Sequence, residues 1–78
     1  MLVRTIGESI KDRRKELGIT QPHLAELAKV STNTLYKIER GQGNPSIDVL
    51  NKLAEVLGME LKLEVKKTLI NETGRNIS

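Results

Sequence analysis

The chain has 78 residues, a one-domain length at which a core buries only about 60% of the unfolded chain's surface, so oligomerisation is expected to supplement its stability. With no cysteine and one histidine, a disulfide framework and thiolate metal sites are excluded, and neither a metal nor another cofactor is expected. Thirteen Lys and Arg against ten Asp and Glu give +3, which fits a nucleic-acid partner without establishing one; with no signal-peptide core and no apolar run near the roughly 20 residues of a bilayer span, the expected location is the cytosol.

In chain order, Thr5-Ile-Gly-Glu8 reads as a capping box that opens a first helix, with Ile6, Ile10 and Leu17 repeating at helical spacing and Gly18 as the stop. That helix is expected over Ile6 to Leu17. Thr20 is a good N-cap for a second helix, and Pro22 falls in its first turn, where a missing N–H costs nothing. Leu24, Leu27 and Ala28 form its predicted inner face. Ser31 caps a third helix with a buried stripe of Leu35 and Ile38, ending at Arg40-Gly41. Asn44-Pro45-Ser46 launches a fourth, with Ile47, Leu50, Leu53, Ala54 and Leu57 inward and Gly58 as its stop.

From Met59 the period changes. Met59, Leu61, Leu63 and Val65 alternate with Glu60, Lys62, Glu64 and Lys66, which predicts a half-buried strand. Residues 68–78 carry Asn, Thr, Gly and Ser with little periodicity and read as a mobile tail. The expected organisation is a helical domain over 1–58, a strand over 59–67 and a tail over 68–78.

The segment from Thr20 to Gly41, TQPHLAELAKVSTNTLYKIERG, followed by Asn44-Pro45-Ser46, resembles the helix-turn-helix of the phage-repressor and Cro group, the XRE family. The resemblance rests on Thr20-Gln21, Leu24-Ala25, Val30-Ser31, Ile38-Glu39, Gly41 and Asn44-Pro45-Ser46, and covers about Ile6 to Met59. It implies a mostly α fold, a lambda-repressor-like domain of four to five helices, and double-stranded DNA as partner. Ala25 is small where the two helices cross, and Val30 fills the space beneath the turn. Lys29 stands where the family usually has a left-handed Gly, which costs about 1 kcal/mol.

A helix fits the major groove, and its exposed N-terminal side chains meet base edges. On the third helix these are Thr32, Asn33, Tyr36 and Lys37. The resemblance places Thr32, Asn33 and Lys37 at the main base-reading positions. Asn33 can pair with adenine N6/N7, Lys37 can donate to guanine O6/N7, and Thr32 can touch a thymine methyl. Tyr36 has further options, a sugar, a phosphate or the domain's own apolar surface. Phosphate donors are needed on either side, and Gln21, Ser31, Arg40 and Asn44 are the candidates. In the family the Gln at position 21 also braces the recognition helix, and an Arg–Glu pair at Arg14 and Glu39 links the first helix to the third. Those two are assigned to structure. His23 reads as a surface residue, and no nucleophile–base or paired-carboxylate arrangement points to an enzyme.

A lone strand needs a partner, and Met1-Leu2-Val3 is the only intramolecular candidate and is short. The strand is therefore expected to pair with its copy in a homodimer, antiparallel across a two-fold axis. Centring on Leu63 sets Glu60 against Lys66, Lys62 against Glu64, and Leu61 against Val65; slips of two residues, or an in-register parallel pairing, bring like charges together. Leu61, Leu63 and Val65 thus form the expected dimer interface. The alternative is a strand that covers the edge of its own core.

Such a strand after the fourth helix also resembles that of the HipB-type antitoxins, which implies an alternative function: an antitoxin that binds a toxin protein as well as DNA. The primary expectation is a repressor, a homodimer that occludes a near-palindromic operator.

Overall fold

The computed structural model describes residues 2–62, with side chains from Ile6 onward. Among these residues there are four helices and no strand: α1 Leu2–Glu16, α2 Gln21–Ala28, α3 Thr32–Glu39 and α4 Ile47–Leu57. None is long and apolar enough to cross a membrane. α1 packs on α3 and α4, and α2 packs on the same two helices, so every helix has two neighbours around one centre. Leu24, Leu35, Ile38, Leu53 and Leu57 fill that centre and are fully buried, with Ile10, Ala25, Ala28 and Leu50 around them. Burial of each large aliphatic side chain contributes about 1.5–3 kcal/mol, which has to offset the ordering of three helices too short to persist alone.

Three helix starts lie at hydroxyl caps. Thr20, Ser31 and Ser46 have extended backbones, and each side-chain oxygen accepts the N–H three residues on, from His23, Thr34 and Val49. Each cap contributes about 1 kcal/mol by satisfying a donor that has no partner within its own helix. Gly58 closes α4 in the left-handed conformation. Lys29 does the same for α2 at φ 59°, ψ 43°, with the Val30 N–H reaching the Ala25 carbonyl. A side chain is thus held where glycine is favoured, and Val30 is seated against the core beneath the turn.

Four expectations are corrected. α1 begins at Leu2, so Thr5 lies inside it and cannot be its N-cap, which needs a non-helical backbone. No Gly or Pro interrupts Leu2 to Ile6, and each residue added to an existing helix gains a hydrogen bond. Leu17 falls just past the end of α1 and is 44% exposed. The chain reverses there through Gly18, with the Ile19 N–H bonded to the Arg14 carbonyl, and Ile19 takes the inner position. Leu27 is 50% exposed because α2 buries the arc of Leu24, Ala25 and Ala28, and Leu27 lies about 100° from its centre at 3.6 residues per turn. Ile47, the first residue of α4, is 67% exposed; the buried stripe starts a turn later at Leu50.

After α4, Met59 and Leu61 are half-buried against the core while Glu60 and Lys62 are exposed. Leu61 therefore covers an edge of its own core. The expected interface residues Leu63 and Val65, the rest of the expected strand and the 68–78 tail lie outside the described residues.

Gly7 is where α1 comes closest to α3. A methyl group there would overlap the Ile38 carbonyl oxygen and lie 3.3 Å from the Glu39 Cα. Gly within a helix is normally about 1 kcal/mol worse than Ala, and here close approach outweighs propensity. Gly7→Ala should destabilise the fold by about 2 kcal/mol, as overpacking does. Urea unfolding checks it, and a stabilised variant would show that the two helices can move apart.

Candidate nucleic-acid interface

α3 divides cleanly into two faces. Leu35, Ile38 and Glu39 are buried, whereas Thr32, Asn33, Tyr36, Lys37 and Arg40 are exposed. The exposed set runs the length of the helix with polar termini throughout, a surface that offers donors and acceptors to a groove. An eight-residue helix can present it only if something else fixes its position.

The fixing group is Glu39. Its side chain is 2% exposed and accepts Arg14 Nε at 2.8 Å on one oxygen and a second Arg14 nitrogen at 3.0 Å on the other, a bidentate fork. Gln21 Nε2 donates to the same carboxylate at 2.9 Å. The third Arg14 nitrogen donates to the Ile19 carbonyl at 2.9 Å, just ahead of α2. One buried carboxylate thus joins α1, α2 and α3, and no buried side-chain polar atom among the described residues is left without a partner. The hydrogen bond that Arg14 donates to Glu39, aided by the charge of the carboxylate, raises Arg14 above its ordinary pKa against the opposing effect of burial. Stability from a raised basic group is complete below its unfolded pKa and lost as pH rises through the folded one, so the contribution of Arg14 is complete at neutral pH.

The other residues singled out from the sequence fall around this frame. Gln21 is half-buried at the first position of α2, where its amide keeps one free N–H beside the helix N-terminus. Ser31 is exposed, but its hydroxyl is engaged in the α3 cap, accepting the Thr34 N–H at 3.0 Å and donating to Thr34 Oγ1 at 2.7 Å. Arg40 caps the C-terminus of α3, with its guanidinium over the Tyr36 ring at 5.3 Å from the centroid. Asn44 lies in the loop before α4 and is exposed. Leu61 is remote from this face in sequence and packs on the core.

Two residues were not foreseen. Thr34, whose proton is left free by the bond from Ser31, lines a shallow cleft with Lys37, Gln42, Gly43 and Asn44 between α3 and the following loop. The three-residue spacing from the Ser31 cap was its only sequence signal. Arg13 Nε donates to the Leu57 carbonyl at 2.9 Å and so caps the last turn of α4 from α1. Nothing in the local pattern distinguishes Arg13 from Arg14.

Comparison with known proteins agrees with this geometry. Residues 10–63 match the helix-turn-helix family model. The chain is 44% identical over 69 residues to the immunity repressor protein of Bacillus phage phi105, covering 87% of this chain and 48% of the repressor. It is 41% identical over 51 residues to an uncharacterized HTH-type transcriptional regulator of Methanothermobacter thermautotrophicus, covering 65% of this chain and 74% of that protein. The crystal structure of the clp gene regulator ClgR from Corynebacterium glutamicum superposes with a TM-score of 0.72 at 30% identity, covering 76% of this chain and 63% of that one. The chain belongs to the XRE-type helix-turn-helix family, a family of double-stranded-DNA-binding transcription regulators. It spans about half the length of the phage repressor and 17% of a putative regulatory protein from Methanococcus vannielii.

Replacing Glu39 by Gln keeps the shape but turns an N–H group toward donors and leaves Arg14 buried without its counter-charge. Glu39→Gln should lose about 3–5 kcal/mol. Gln21→Ala, which removes one neutral donor, should lose about 1 kcal/mol. Chemical denaturation of both variants checks the ranking, and equal losses would contradict the hub.

Proposed function

We propose that this protein is a sequence-specific transcriptional repressor that binds a near-palindromic operator as a homodimer. The observation that carries the reading is the two-faced α3, locked from behind by Glu39 and polar along its whole outer face. Thr32, Asn33 and Lys37 read base edges, with Asn33 directed to adenine and Lys37 to guanine. Gln21, Arg40 and Asn44 contact phosphates, and Ser31 contributes chiefly by capping α3, with its backbone beside the DNA. The similarity to an immunity repressor protein supports repression, and occlusion of a promoter by the bound dimer is the mechanism proposed for it.

One head with three base readers in a chain of charge +3 binds weakly. Two heads held about 34 Å apart engage successive major grooves, and affinity then reflects both. The segment after α4 supplies the link, pairing as a strand with its copy across Leu63 when the dimer forms. Its apolar face continues the one that Leu61 already lays on the core, so a paired ribbon would rest on both domains at once.

Titration on an operator selected from random duplexes, against a scrambled duplex, tests the reading directly. Asn33→Ala should reduce the preference for operator by about 1–3 kcal/mol at one base position. Arg40→Ala should weaken both duplexes alike and reduce the salt slope by about one phosphate. Equal wild-type affinity for both duplexes at every salt would exclude sequence-specific repression. Leu63→Asp should yield monomers by sedimentation equilibrium together with loss of tight operator binding, and a dimeric variant would exclude the strand interface.

A further inference from the structure

We infer that Tyr36 is a positioning residue that acts on DNA through Arg40, by holding the guanidinium over its ring at the C-terminal end of α3. The inference rests on the DNA-binding reading above. Tyr36 and Arg40 are four residues apart and so lie on one helical stripe, and both are exposed. The guanidinium carbon stands 5.3 Å from the ring centroid, within the distance at which the ring quadrupole attracts a cation.

Arg40 differs in its partner from Arg13 and Arg14. Arg13 and Arg14 are each paired with a glutamate, whereas among the described residues no carboxylate pairs with Arg40. The backbone of Arg40 is already fixed, because its N–H is shared between the Tyr36 and Lys37 carbonyls. What remains free is a long, rotamer-rich side chain, and the ring restricts it. A phosphate donor ordered before binding loses less freedom on contact than a mobile one, and the planar guanidinium keeps its outer N–H groups available while one face lies on the ring.

The same geometry argues against Tyr36 as a direct stacking platform. One face of the ring is covered by Arg40, so a base or sugar stacking on that face would have to displace the cation. The hydroxyl is not needed for the clamp. Phe at position 36 should therefore preserve it, and an aliphatic side chain should abolish it.

A double-mutant cycle on the full chain separates these roles. Wild type, Tyr36→Phe, Tyr36→Leu, Arg40→Ala and Tyr36→Leu/Arg40→Ala are titrated at several salt concentrations on the selected operator and on a scrambled duplex. Tyr36→Leu should weaken both duplexes by about two- to five-fold, the range for an exposed cation–π contact, and Tyr36→Phe should match wild type. In the Arg40→Ala background Tyr36→Leu should have no further effect. An equal loss in both backgrounds, or a changed preference for operator over scrambled DNA, would overturn the inference in favour of direct contact. In the free protein, the Arg40 side-chain protons should show an upfield ring-current shift in wild type and Tyr36→Phe that disappears in Tyr36→Leu, and no such shift in wild type would overturn the clamp. Wild-type chain that binds neither duplex would instead overturn the DNA reading, a result distinct from additive mutants of a chain that binds.

Discussion

A buried carboxylate is expensive to desolvate, and Glu39 is tolerable only because three donors from two other helices meet it. That requirement makes it an organising constraint. Arg14 must arrive from α1 and Gln21 from α2, and each arrival fixes the position of one helix relative to α3. The last turn of α3 is thereby held at the Glu39 end, its first turn is held by the Ser31 cap, and the polar outer face between them is presented without taking part in the core.

The tight contact at Gly7 serves the same geometry. Arg14 lies two turns along α1 from Gly7, so the close approach of backbone at one point and the ion pair at the other align α1 along the back of α3. Arg13, one residue before Arg14, holds the end of α4. α1 is thus a strut that ties α3 to the point where the chain leaves for Met59. Within a dimer joined by that segment, the strut would transmit the spacing of the two heads.

Much of this was legible because its causes are local. The hydroxyl caps at Thr20, Ser31 and Ser46 and the stops at Gly18 and Gly58 depend on neighbours a few residues away, whereas the left-handed Lys29 followed from the family resemblance. Leu17, Leu27 and Ile47 were misplaced because a helical stripe does not say how far the partner helix extends. Gly7 was read as part of a cap because its real neighbour, the Ile38 carbonyl, is thirty-one residues on. The Arg14–Glu39 pair came from family resemblance, since no spacing rule joins residues so far apart in the chain. The start of α1 was lost to a plausible capping box inside a longer helix. Of the outer face, the exposure of Thr32, Asn33 and Lys37 followed from α3 periodicity, whereas the stacking of Arg40 on Tyr36 needed coordinates despite its four-residue spacing.

α3 has no independent existence: it is helical because Glu39 and the Leu35–Ile38 stripe bind it to α1 and α2. Native-state hydrogen exchange under increasing denaturant measures this directly. The amides of Leu35 and Ile38 should open with the same free energy and the same denaturant slope as Ile10 in α1, because only global unfolding exposes them. Exchange of α3 through a separate opening of lower energy and shallower slope, with α1 still protected, would contradict it.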